Sequence, residues 1–118
     1  MKLIEVKSGK EIKEFLNFPV ALYRGEEHWI RPFDKDVEAV FDPKDNEFFQ
    51  HGSCVRWILQ VNGLTVGRIA AFVNENTAEQ KTSNDYKLRV GGCGFFECED
   101  NQEYAKSLFD QAKSWLME

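Results

Sequence analysis

Polar and apolar positions alternate from Lys2 to Lys7, with Ile4 and Val6 set against Leu3, Glu5 and Lys7, and this period of two predicts a first strand. Ser8 followed by Glu11 forms a capping-box signature, after which Ile12, Phe15 and Leu16 share one helical face opposite Lys10, Lys13 and Glu14. Pro19 is expected to stop or kink that helix near Asn17, leaving Val20 to Tyr23 as one further apolar turn before Gly25. A second helix is expected from Arg31 to Phe41, with Asp34 or Asp36 in its first turn, Val37, Val40 and Phe41 on its buried side, and Asp42-Pro43 at its end. The polar stretch PKDNEFFQHG is read as a loop pinned by Phe48 and Phe49.

The next run carries the clearest local signal. Val55, Trp57, Leu59 and Val61 alternate with Arg56, Ile58 and Gln60, Asn62-Gly63 supplies residues that accept positive φ, and Leu64 to Val73 returns as the partner strand. Asn74 to Lys87 is polar and weakly patterned, an exposed connection. A third long strand is predicted from about Lys87 to Cys98. Its Gly91, Gly92 and Gly94 suggest a bulge, a bend or close approach of another backbone. After Asp100 or Asn101 as cap, Tyr104, Leu108, Phe109, Ala112, Trp115 and Leu116 recur at helical spacing, which makes them core. Trp57, Phe95 or Phe96, Leu108, Phe109 and Trp115 are expected to be among the most buried side chains.

With 118 residues, 42% hydrophobic and 30% charged, the chain fits one domain, residues 1–118, with one core. A net charge of −5, with lysines and arginines scattered among acids, argues against nucleic acid as a partner. No run approaches the roughly 18 apolar residues of a membrane span, and a cytoplasmic location is expected. Cys54, Cys93 and Cys98 show no CxxC and no spaced histidine pair, so they read as reduced, mostly buried thiols and no metal site is expected. His28 and His51 read as loop histidines with local hydrogen bonds, and Arg31 and Arg68 as surface charges.

The blocks FLNFPVALYRGEEHWIRPF, FDPKDNEFFQHG, NGLTVGRIAAFVN and GFFECEDNQEYAKSLFDQAKSWL, in that order, resemble the N-terminal part of longer bacterial proteins of the GNAT superfamily, the acyl-CoA N-acyltransferase fold. The resemblance runs from about Lys2 to Leu116. It implies an α/β (α+β) domain: a mixed, mostly antiparallel sheet in strand order, flanked by helices and truncated after the helix that follows the fourth strand. In that family the turn after the fourth strand carries Gln/Arg-x-x-Gly-x-Gly/Ala, whose backbone N–H groups hold the acyl-CoA pyrophosphate. Here the best register sets Asp100 at its start, Glu103 at the central Gly and Ala105 at its end, and only the last matches. Glu103 adds bulk and charge beside Glu97, Glu99 and Asp100, where a polyanion would have to approach. The later strands that wall the pantetheine cleft, and often give a catalytic tyrosine, are absent from the sequence.

The resemblance makes Glu97 and Glu99 the candidate general bases and Phe96, Cys98, Glu103 and Ala105 the candidate cofactor contacts, with acetyl-CoA the cofactor if the domain is active. Read as residues alone, Glu97 and Glu99 are solvated charges near a strand end, and Asp100 and Glu103 support a helix N-terminus. The degenerate motif favours a GNAT-like domain without catalysis of its own, a binding or interaction module. The alternatives are an N-acetyltransferase completed by a partner or a longer chain, and a fragment with no function of its own. The strand from Val90 to Cys98, undefended by Lys or Pro, is expected to be an open edge; a second copy docks there or on the adjacent helix, making a homo-oligomer, or the Asn74 to Lys87 connection folds over it.

Overall fold

The computed structural model describes residues 1–44, 46, 52–74 and 90–117. Its elements run β1 (Lys2–Glu5), α1 (Gly9–Leu22), α2 (Asp34–Val40), β2 (Gly52–Val61), β3 (Leu64–Asn74), β4 (Val90–Cys98) and α3 (Gln102–Leu116). The strands form one antiparallel sheet in the order β1-β2-β3-β4, so neighbours along the chain are neighbours in space. The fold is α+β, with α3 on one face of the sheet and α1 and α2 on the other.

Strand periodicity makes the two layers. Trp57, Leu59, Ile69 and Ala71 turn to one face and meet Leu108 and Ala112 of α3, with Trp115 and Leu116 packed at the margin. Ile58 turns to the opposite face and meets Phe15 of α1 and Val37 of α2. The β2–β3 turn has φ of 53° at Asn62 and 80° at Gly63, the paired positive angles that Asn-Gly supplies at low cost. Gly67 and Gly91 allow α3 to lie close to the sheet, because a Cβ there would stand 2.6 Å and 2.8 Å from atoms of Leu108 and Leu116.

Several sequence expectations are corrected. Of the two outcomes expected at Pro19, the stop is excluded: α1 continues through Pro19 to Leu22. A proline at 19 withholds the N–H that Phe15 O would accept in a regular helix, and Arg68 Nη1 supplies a 2.7 Å donor in its stead. Helix α2 begins at Asp34 rather than Arg31, since Pro32 disfavours helical backbone at the residue before it. Arg31 folds back instead, donating to Asp34 and to Asn17 Oδ1. Phe109 is 41% exposed, because it sits about 100° around the helix from Leu108, and it lies over Phe96 with ring centroids 4.2 Å apart. Trp115 is only half-buried, edge-on to Trp57 at 6.4 Å.

The bulge in β4 falls on an aromatic residue and not on a glycine. Pairing with β3 shifts between Arg68 and Ala70, and Phe95 there has φ of 53°, a conformation that strains a side chain with a Cβ. The kink sends the rings of consecutive residues to opposite layers: Phe95 to Phe15 and Phe41, Phe96 to Phe109. Cys93, paired across to Ala71, and Cys98, packed on the α3 core, thereby come to the same face, where a regular strand would separate them. Of the three free thiols Cys93 is exposed, against the expectation of buried cysteines. Arg68 is buried, not a surface charge. His28 is exposed, whereas Phe48, Phe49, His51 and the connection after Asn74 lie outside the described residues.

Candidate functional site

Three chain segments converge beside the kinked end of β4. The last turn of α1 brings Leu22 and Tyr23, the loop after it brings Glu26, and the passage from β4 into α3 brings Phe96 through Gln102 and then Ala105. They border an open cleft of about 540 Å³. Of the residues expected to act, Phe96, Glu97, Cys98, Glu99 and Ala105 line it together. Glu103 does not: it borders a separate surface hollow with Met1, Leu3 and Lys106.

The start of α3 is capped from within. Asn101 Oδ1 accepts from Glu103 N at 2.9 Å and from Tyr104 N at 3.4 Å, so two of the N–H groups that could bind an anion are already engaged. Glu26, Glu97, Glu99 and Asp100 line the cleft without a Lys or Arg among the lining residues. With Glu97 balanced by Arg68 behind it, Glu26, Glu99 and Asp100 leave the lining net negative, which disfavours a pyrophosphate and favours a cation.

Glu97 is fixed. Its Oε1 accepts from Arg68 Nη2 at 2.5 Å and Nε at 3.1 Å. The Arg68 side chain is 7% exposed and that of Glu97 17%. The guanidinium also stacks over Phe15 at 4.7 Å and Phe95 at 5.7 Å. Burial draws Arg68 below its usual pKa, with the Glu97 charge opposing that shift. The hydrogen bond to Glu97, together with burial, raises the Tyr23 phenol, whose ring also stacks on Trp29 at 5.2 Å.

Glu99, past the end of β4, is exposed, and its N–H donates to Val66 O at 2.9 Å. The Glu97 carboxylate is already engaged by a buried guanidinium, whereas Glu99 is open to solvent and ligand. Cys98 is half-buried, and burial followed by Asp100 and Glu99 pushes its thiol pKa up, so it stays protonated at neutral pH and is no nucleophile. Among the described residues no three His, Cys, Asp or Glu side chains are grouped to hold a metal ion. No helix among them is long and apolar enough to cross a membrane.

Sequence reasoning missed Tyr23, which it read as part of an apolar turn, and the burial of Arg68. A usable signal was present: Arg56 and Arg68 each interrupt an otherwise apolar strand, and a charge in mid-strand calls for a buried partner.

The chain is 30% identical over 117 residues to a bacterial ceramide synthase of Caulobacter vibrioides, a match covering 98% of this chain and 29% of that protein. It is 27% identical over 106 residues to Protein YghO of Escherichia coli, covering 90% of this chain and 26% of that one. The chain thus spans less than a third of the length of either relative. No family model and no solved structure matches it.

Proposed function

We propose that this chain is the amine-binding part of an N-acyltransferase site of the GNAT kind, and that it does not transfer an acyl group alone. The observation that carries this reading is the cleft at the β4–α3 junction, lined by four carboxylates and Tyr23. A protonated amine suits such a field, and Glu99 is the group available to take one proton from it, so that the free amine attacks an acyl carbonyl. The C–N bond then forms as the C–S bond breaks, and the departing thiolate takes the second proton from the nitrogen and leaves as the thiol. The relative in Caulobacter supports the same chemistry, because a ceramide is the fatty amide of a long-chain amino alcohol. The acyl donor, acetyl-CoA or a longer homologue, would be held by residues outside this chain, in a longer protein or a partner, and the site would work in the cytoplasm, where acyl-CoA is found.

One observation favours the second reading, a module that binds without catalysing. The side chain of Asn101 occupies N–H groups at the start of α3 that a GNAT enzyme would offer to pyrophosphate.

Calorimetry at low salt with acetyl-CoA and with octylamine tests both. The expected result is weak or no acetyl-CoA binding, since a helix N-terminus contributes only about 0.3–1 kcal/mol toward an anion at an exposed site. Octylamine should bind, and less well in high salt or after Glu99→Gln. A micromolar dissociation constant for acetyl-CoA would overturn the amine-side reading in favour of a complete cofactor site. Silence with octylamine would leave the interaction module.

A further inference from the structure

In the loop that joins α1 to α2, Arg31 is tied down while the apolar residues on either side of it are left uncovered. Arg31 Nη2 donates to Asn17 Oδ1 and to Asp34 Oδ1, each at 2.9 Å. Trp29, Arg31, Pro32 and Asp34 border a small gap against Leu16 of α1 and Val37 of α2, and the Trp29 ring stacks on Tyr23 at 5.2 Å. The loop is therefore braced against both helices. On that backing Ile30 is 84% and Phe33 79% exposed, the highest values of any large apolar side chain among the described residues. Met1 and Met117, also exposed, lie at the chain ends, where a free side chain asks for no explanation.

We propose that Ile30 and Phe33 form a wedge that enters the surface of a lipid bilayer, so that the protein lies on a membrane without crossing it. Area argues for lipid over a protein partner. Two side chains of this size offer roughly a few hundred Å² of surface, well short of the about 800 Å² that each partner buries in a stable protein interface. A bilayer makes no such demand, because it closes around whatever apolar tip is pushed into it. Charge then selects the kind of bilayer. Arg31 and Asp34 neutralise each other, and from Arg24 to Asp36 four acids stand against three bases, so the loop gains nothing from anionic headgroups. Apolar insertion is the driving force, and a zwitterionic surface suits it. The braced loop also loses little conformational freedom on entering.

The position of the wedge gives it a use. Tyr23, against which Trp29 stacks, and Glu26 both line the cleft, so insertion of Ile30 and Phe33 sets the mouth of the cleft close to the headgroup layer. An amine with an alkyl tail would then reach the cleft from the bilayer and not from water. That link rests on the amine-site reading given above; the wedge does not, and the two are tested separately because the lipid used below has no primary amine.

Sedimentation with sucrose-loaded phosphatidylcholine vesicles at about millimolar lipid measures partition directly, a concentration chosen because two side chains hold less tightly than one acyl chain does. Ile30→Ser and Phe33→Ser are each expected to lower the partition coefficient at least about fivefold, and the double variant to abolish binding. Both side chains are exposed, so the variants should keep the parent's urea midpoint. Leu64→Ser removes a side chain that is 71% exposed on the β2–β3 turn and should leave partition unchanged. Dibromo-phosphatidylcholine should quench Trp29 fluorescence, and the quenching should disappear in Trp29→Phe, since Trp57 is buried. Absence of binding by the parent, equal binding by the double variant, an equal loss in Leu64→Ser, or binding that requires anionic lipid and fails in high salt would each overturn the wedge. So would a parent that ignores vesicles but is a dimer that Phe33→Ser converts to a monomer, which would make this face an interface between copies.

Discussion

Leu108 of α3 stands directly over Gly67 of β3: a Cβ at residue 67 would lie 2.6 Å from Leu108 Cδ1 and 2.9 Å from Cys98 Cβ. Leu108 is fully buried, so it has nowhere to retreat, and the missing side chain at 67 is what lets the helix and sheet interlock.

Gly67→Ala should therefore destabilise the domain by about 1–3 kcal/mol through overpacking. Leu108→Val shortens the opposing side chain and is expected to recover part of that loss when combined with Gly67→Ala, although alone it weakens the core. Thermal or urea unfolding of the two single variants and the double variant measures this. Strict additivity would mean that α3 does not rest on Gly67.

A second prediction concerns how α2 is held. Arg56 Nη1 and Nη2 donate to the two carboxylate oxygens of Glu38 at 2.5 and 3.2 Å, and the guanidinium lies over Phe41 at 4.3 Å and Phe15 at 5.0 Å. The Arg56 side chain is 9% exposed but that of Glu38 is 34%. Glu38→Ala strands a buried cation and is expected to cost about 1–3 kcal/mol, less than the loss seen when a fully buried pair is broken, because water reaches one partner. Arg56→Met combined with Glu38→Ala should lose less than Glu38→Ala alone, since no charge is then left behind. A double variant less stable than that single variant would argue against the pair as the main tether of α2.

What the sequence made legible was local. Ser8 and Glu11 cap each other as their spacing implied, with Glu11 Oε1 accepting from Ser8 N at 3.0 Å and from Lys7 N at 2.8 Å. Asn62-Gly63 turns the hairpin, and Leu108 and Ala112 mark the inner face of α3. Sheet order and class followed from the succession of such elements. Where the reading departed from the structure, a distant partner decided the matter. Pro19 is tolerated because Arg68, far away in sequence, donates to Phe15 O. Phe95 adopts a left-handed conformation because the pocket formed with Phe15 and Phe41 accepts its ring. Glu97 and Glu99 were singled out through the family resemblance, whereas the residues alone read as solvated charges; Glu97 lies within β4 and is mostly buried. That Arg68 immobilises Glu97 was not legible, since the two lie far apart in the chain.

The third prediction concerns alkaline pH. Tyr23 titrates above its usual 10.0, first because of its hydrogen bond to Glu97 and then because of burial. The folded protein therefore keeps a proton that the unfolded chain releases, so the stability from this group is whole below about pH 10 and lost as pH rises through the higher folded value. Cys54 and Cys98, both raised chiefly by burial, act with the same sign from nearer their usual 9.0. Tyr23→Phe should be less stable than the parent at about pH 8, and the gap should narrow toward about pH 11. Urea midpoints for both proteins across that range provide the check. A gap that stays constant or widens would mean that Tyr23 holds no such bond.

The last prediction concerns the outer side of β4. This strand pairs with β3 along one edge, and among the described residues no strand lies along the other. Exposed edges template pairing unless charge, proline or a kink interferes, and Val90 to Cys98 contains no Lys and no Pro. The kink at Phe95 divides the strand. Its second half leads into the cleft, while Gly91, Gly92 and Cys93 are exposed in a regular stretch before it. We therefore expect the isolated chain to dimerise through that first half, β4 against β4 about a two-fold axis, burying of the order of 1,200 Å² or more once side chains beside the strands are included. Phe95 is unsuitable as a probe because its ring packs with Phe15 and Phe41, so Lys there would disrupt the layer beneath α1. Cys93→Lys sets a charge on the exposed stretch and should yield a folded monomer. Light scattering after size exclusion at micromolar concentration separates the outcomes: a parent protein running at 13.7 kDa sinks the edge dimer, and so does a dimer that Cys93→Lys leaves intact.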